Sequence, residues 1–189
     1  MNGFTVVLLL AVAGLTNAYL DQGNCPSIKH VDEFDLPSYM GRWFETQRYP
    51  DGIEKGRACV TADYVLVNDT RFSIRNSANL HDGSIELLHG NAVTTDTPGR
   101  FIVGFQGEPP IVYNVLATDY ATYSSVYSCA EGEDYREQFA WVLSRTERLD
   151  PDALAAALDA FDSNNIDTSV LQVTPQGGHC VYTSPPPKV

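Results

Sequence analysis

Between about residue 42 and residue 145 the chain breaks into short segments rich in Val, Ile, Tyr, Phe and Thr, and this pattern restricts the fold more than any other feature. The segments run roughly 42–49, 57–67, 71–79, 84–95, 100–106, 112–119, 123–130 and 136–145. Turn chemistry separates them: Pro50-Asp51-Gly52, Asn68-Asp69, His81-Asp82-Gly83, Thr97-Pro98-Gly99, Pro109-Pro110, Tyr120-Ala121 and Glu131-Gly132-Glu133-Asp134. Eight strands in a row with short connections predict an all-β, antiparallel up-and-down meander. Closing it into an eight-stranded β-barrel removes both exposed edges and leaves an interior for side chains or one small ligand.

One α-helix is predicted after the strands, over about 151–162. Asp150 is placed to cap the first turn, Pro151 suits the first helical position, and Leu149 and Leu154 are spaced as a hydrophobic staple. Leu154, Leu158 and Phe161 fall on one stripe, so the helix should pack by one face against the outside of the barrel. A short strand at about 169–174 should then pair with the first barrel strand.

The ends and the charge set the setting. Residues 1–18 carry no charged side chain, hold an apolar core from Phe4 to Val12 and close on Ala18, which reads as a secretory signal peptide. The apolar run is shorter than the roughly 20 residues a membrane-spanning helix needs, so no stable membrane insertion is expected. The remaining 19–189 should form a single domain, ending in a Pro-rich, unpacked tail at 184–189. The net charge of −12 argues against nucleic acid or an anionic membrane as partner.

Cys25, Cys59, Cys129 and Cys180 make an even count that implies two disulfides, with three connectivities open. No CxxC spacing or recognisable histidine set points to a metal. Asn68-Asp69-Thr70 is a glycosylation acceptor placed at a turn.

The stretch MGRWFETQRYP opens the first strand. A closed barrel needs a plug at one end, and an inward Trp43 is large enough to be its floor. Gly41 is expected where the backbone approaches closely. Arg145, ending the eighth strand, is placed to lay its guanidinium across the Trp43 ring and to bond nearby carbonyls.

These blocks carry a resemblance. Gly41-Arg42-Trp43, Thr118-Asp119-Tyr120 and Arg145 resemble, in order and spacing, the three blocks of the lipocalin family. VLATDYATYSSVYSC, FAWVLSR and SNNID with a Cys near the end resemble its apolipoprotein D branch, with the insect bilin-binding and crustacean carotenoid-binding proteins. The resemblance implies pairing of Cys25 with Cys129 and of Cys59 with Cys180. It also implies a secreted carrier, with no required cofactor but room for a bilin or carotenoid chromophore, a steroid or a fatty acid.

Strand alternation nominates the lining. With Trp43 inward, Glu45, Gln47 and Tyr49 share its side. An inward Trp141 brings Phe139; Tyr113 brings Val115 and Ala117; Asn76 joins Ala78, and Val126 joins Ser128. Small residues at Ala78, Ala117 and Ser128 leave room in such an interior. Apolar walls with a few polar groups suit a small hydrophobic molecule, and no Arg or Lys falls on the inner face by this phase. The alternative is an enzyme, or a redox or haem-handling scavenger, using Cys59, His81 or His89. Ile53 and Pro109-Pro110-Ile111 are candidates for contact with a second copy or a membrane edge, and a cell-surface receptor is a further candidate partner.

Overall fold

The structure, a computed structural model, describes residues 18–52 and 54–186. All but the last residue of the expected leader, together with Ile53 and the end of the tail from Pro187, lie outside the described residues. Eight antiparallel strands form the barrel wall: β2 (Gly41–Arg48), β3 (Ala58–Asn68), β4 (Arg71–Asn79), β5 (Ile85–Thr94), β6 (Arg100–Phe105), β7 (Ile111–Thr118), β8 (Tyr123–Glu131) and β9 (Tyr135–Ser144). Each pairs with its neighbour in sequence, and β9 pairs back onto β2, so the sheet closes.

Three elements outside that pattern finish the wall. A short strand β1 (Tyr19–Gln22) pairs with β9, and a one-turn helix α1 (Leu36–Tyr39) precedes β2. Of the segment expected at 169–174, Thr168–Val170 is a 3-10 turn and only β10 (Gln172–Val173) is a strand. β10 pairs with the upper end of β2, where β3 has parted from it after Phe44. The side chain of Gln176 spans that gap, donating to the carbonyls of Glu45 and Val60 at 2.8 Å each.

The helix α2 (Pro151–Asp162) starts on the Asp150 cap, whose carboxylate accepts from Asp152 N at 2.9 Å. It packs on the outer faces of β7, β8 and β9, burying Ala157 and Phe161 completely against Leu116, Tyr127, Ala140 and Val142. Ala157 is small enough for close approach, and its carbonyl accepts from Ser125 Oγ on β8 at 2.7 Å. The disulfides Cys25–Cys129 and Cys59–Cys180 are formed, across separations of 104 and 121 residues. They tie the N-terminal arm and the C-terminal segment to the wall.

The tail, expected to be unpacked, lies against the barrel as far as it is described. Arg42 donates to Thr183 O at 2.7 Å and Arg75 to Ser184 O at 2.5 Å. Both guanidiniums are held by the buried Asp63, which is 2% exposed and cannot be left without cations.

Candidate ligand-binding site

Strand directions give the barrel a closed and an open end. Tyr120, Arg145 and the start of β2 meet at the closed end; residues 49–52 and 54–57 and the loops 80–84, 106–110 and 132–134 form the mouth.

At the closed end Trp43 is fully buried, and its indole N–H donates to Tyr39 O at 2.9 Å. The Arg145 guanidinium carbon lies 3.6 Å from the centroid of the Trp43 ring. Its nitrogens donate to the carbonyls of Tyr120, Arg42, Ser38 and Tyr39. Burial pushes this guanidinium down to about 10, so it stays cationic at neutral pH. Asp119 fastens the neighbouring turn by accepting from the backbone N–H groups of Ala121, Thr122 and Tyr123 and from the Thr122 hydroxyl. Burial opposes ionisation there, but these bonds outweigh it and hold the carboxyl below its ordinary value. Thr118 Oγ1 accepts from Tyr120 N at 3.0 Å, in a turn where Tyr120 adopts φ +65°. Gly41 also owes its place to backbone conformation, φ +94°, and not to crowding. A Cβ there would meet only the Arg145 Nη1 at 3.5 Å.

Above the floor, three phenols meet. Tyr39 Oη is 3.0 Å from Tyr113 Oη and 2.9 Å from Ser124 Oγ, and Tyr64 Oη is 3.1 Å from Tyr113 Oη. Burial raises all three, Tyr39 to about 12, so they act as neutral hydroxyls. Phe72, Phe101, Ile74, Val115 and Val126 fill the space around them.

The middle and upper wall is aromatic on one side. Phe139 stacks on Trp141 with ring centroids 5.5 Å apart and planes 1° from parallel, and Trp141 lies 6.3 Å from Tyr113. Ser128 stands opposite Phe139, and Val126 opposite Trp141. Across the barrel, Asn76 and Ala78 are on the inner face of β4, Asn76 being paired with inward-facing Ala62.

Two β-bulges shift the phase of the lining. On β2 the register steps between Glu45, opposite Leu143, and Gln47, opposite Val142. Directly opposite residues share a face, and Val142 packs outside under the helix. Gln47 and Tyr49 therefore face outward, contrary to simple alternation. Tyr49 is buried beneath α2 and donates to Asp167 O at 2.6 Å. Arg48, opposite Trp141, turns in and supplies the interior cation that strict alternation omitted. On β7 the bulge at Leu116 sets Ala117 opposite outward-facing Ser125, which moves Ala117 out of the cavity.

The interior then gains a polar cluster at the mouth that strand patterning does not reveal. Glu45, only 3% exposed, accepts from Arg48 Nη1 at 2.6 Å and from the Thr174 hydroxyl. Glu54, from the β2–β3 loop, accepts from the Trp141 indole N–H at 3.3 Å. Arg48 Nε is 3.6 Å from Glu54 Oε2, which is buried and has no hydrogen-bond partner; nor has Asn76 Oδ1. Burial, and then the nearby Glu45 charge, push the Glu54 carboxyl well above its ordinary value. Glu54 sits in a loop without periodicity, so only its Trp partner marks it.

The residues nominated for other chemistry fall elsewhere. Cys59 is consumed by its disulfide, and among the described residues no cysteine is free. His81 is exposed in a mouth turn, and His89 pairs with outward-facing Arg75, so neither lines the interior. Cys59, His179 and Cys180 cluster, but both sulfurs belong to the disulfide and offer no thiolate. Ile111, expected to be exposed, packs against the core, leaving Pro109 and Pro110 exposed at the mouth. An open groove of about 1070 Å³ runs along the outer faces of β3–β6 beside the tail. We take the interior as the site because its aromatic stack, orphan oxygens and buried charges converge there.

Comparison with known proteins agrees with this architecture. Residues 34–176 match the lipocalin-like domain. Apolipoprotein D of Macaca fascicularis is 35% identical over 179 residues, covering 90% of this chain and 94% of that protein. The bilin-binding protein of Pieris brassicae is 34% identical over 160 residues, covering 81% and 83%. Insecticyanin from the tobacco hornworm Manduca sexta superposes with a TM-score of 0.77 at 25% identity, covering 86% and 91%. The chain belongs to the lipocalin family.

Proposed function

We propose that this chain is a secreted carrier that holds one small, largely apolar molecule in the upper half of the barrel and does no chemistry on it. The observation that carries this reading is the Phe139–Trp141–Tyr113 aromatic wall standing above a sealed floor, with unpartnered polar oxygens facing the same interior. Apolar walls supply affinity and a few polar groups set orientation. Glu45, Asn76, Ala78, Tyr113, Val115, Val126, Ser128, Phe139 and Trp141 are the lining we assign, joined by Arg48 and Glu54. A flat chromophore such as a bilin or carotenoid fits parallel rings, and the likeness to a bilin-binding protein supports that class. Two disulfides and the leader-like 1–18 support secretion, and among the described residues no helix is long and apolar enough to cross a membrane. The exposed Asn68 supports glycosylation at that turn, and contact with a second copy or receptor would involve Pro109-Pro110 at the mouth.

The test is purification from the native source without denaturation, followed by absorption and mass spectra. A visible band with a co-purifying chromophore establishes a pigment carrier, and a bound lipid or steroid mass establishes lipid transport. An empty protein whose tryptophan emission ignores every hydrophobic ligand overturns the carrier reading.

A further inference from the structure

The polar cluster at the mouth is unbalanced. Two carboxylates, Glu45 and Glu54, face one guanidinium, Arg48, and the guanidinium is already engaged by Glu45, Thr174 and the carbonyl of Glu54. A buried carboxylate oxygen without a donor is costly, so Glu54 Oε2 must take up a proton or receive a donor from whatever enters the barrel. Across the barrel, Asn76 Oδ1 is a second shielded acceptor without a donor. When Glu54 is ionised both orphan groups are acceptors, so the molecule that complements them in that state is a donor.

The surroundings have the same polarity. The mouth loops carry Asp51, Glu54, Asp82, Glu108, Glu133 and Asp134 against Lys55 and Arg57. Arg57 is already paired with Glu86 on β5 at 2.6 Å. A mouth of this sign concentrates cations and repels carboxylates.

We propose that Glu54 is the polar anchor of the cavity and that the ligand's polar end is a protonated nitrogen, an amine or a protonated nitrogen heterocycle, seated on Glu54 Oε2 while Trp141 holds Oε1. This rests on the carrier reading and narrows it: fatty acids are disfavoured, whereas molecules with a basic nitrogen on an apolar body are favoured. The Trp141 N–H orients the Glu54 carboxylate by engaging Oε1, which leaves Oε2 to meet the ligand. The groups facing Glu54 are Glu45 and Arg48 from β2 and Trp141 from β9, with Asp51 accepting from Glu54 N within the loop. Binding a cation there displaces any proton on Glu54, so affinity for it should fall as the medium becomes more acidic.

Dodecylamine, dodecanol and dodecanoate share one apolar chain and differ only at the polar end, so calorimetric titration of the full chain with the three at pH 7.5 tests the idea. The amine should bind about tenfold tighter than the alcohol, and the carboxylate weaker than the alcohol. Glu54→Gln should abolish the amine's advantage, bringing the amine-to-alcohol affinity ratio down to about one. At pH 5.5 the wild-type preference for the amine should shrink. Dodecanoate binding as tightly as dodecylamine overturns the proposal, as does an amine-to-alcohol ratio that Glu54→Gln leaves unchanged. The wild-type ranking decides without any variant, whatever Glu54→Gln does to folding. If none of the three binds, the carrier reading itself falls, an outcome distinct from loss of the amine preference alone.

Discussion

The two ends of this barrel treat their polar groups in opposite ways. At the closed end every group we follow is matched: the Trp43 N–H has a carbonyl, Arg145 has four, and the Tyr39, Tyr64 and Tyr113 hydroxyls bond one another. At the open end two carboxylates share one guanidinium, and oxygens on Glu54 and Asn76 are left without donors. Satisfied buried networks rigidify a fold, and unsatisfied ones store affinity for something else. The closed half is therefore built for stability, and on our proposal the open half is built for a ligand.

Substitutions at the two ends should separate accordingly. Trp43→Ala, at the floor, should lose about 3–5 kcal/mol in denaturant unfolding; a loss near zero would show that the floor is not the keystone of the closed end. Replacing Cys59 and Cys180 together by Ser should cost about 2–4 kcal/mol, because it frees the segment that fills the gap between β2 and β3. Trp141→Ala, in the upper wall, should weaken ligand affinity about tenfold while costing less stability than Trp43→Ala. Equal losses of stability at Trp43 and Trp141 would erase the distinction between the two ends.

Much of this division is legible in the chain, for physical reasons. Strands of period two and their turn residues are local, so the meander and the helix can be read from windows of a few residues. The Gly41, Trp43, Thr118, Asp119, Tyr120 and Arg145 floor is legible because each residue type has a distinct task. The mouth is harder. A β-bulge inserts one residue without a strong signature, so alternation sends Gln47 and Tyr49 inward when they face out, and hides Arg48 and the outward turn of Ala117. Tyr39 and Tyr64 escape because one lies in a single helical turn and the other on β3, a strand with no residue like Trp43 to fix its inward face. Glu54 escapes because a loop side chain is positioned by tertiary contacts alone.

The smallest effect expected is also the most diagnostic of the open end. Burial, then Glu45, raise Glu54 above an ordinary carboxyl, with Arg48 and the Trp141 N–H opposing them. In the unfolded chain Glu54 titrates at about 4.3. Between that value and its raised native one the folded protein binds more protons than the unfolded, so this group's contribution to stability is fully present below pH 4.3 and is lost as pH rises through the native value. Asp119 works in the opposite sense, its lowered carboxyl stabilising the fold above the ordinary aspartate range and losing that contribution on acidification. Thermal unfolding of wild type and Glu54→Gln across pH 4 to 8 should thus show the variant gaining on wild type as pH rises, since the amide carries no charge to desolvate. An identical pH profile for the two proteins would mean that Glu54 is as comfortable ionised in the fold as in water, and the contrast between a satisfied floor and an unsatisfied mouth would lose its electrostatic basis.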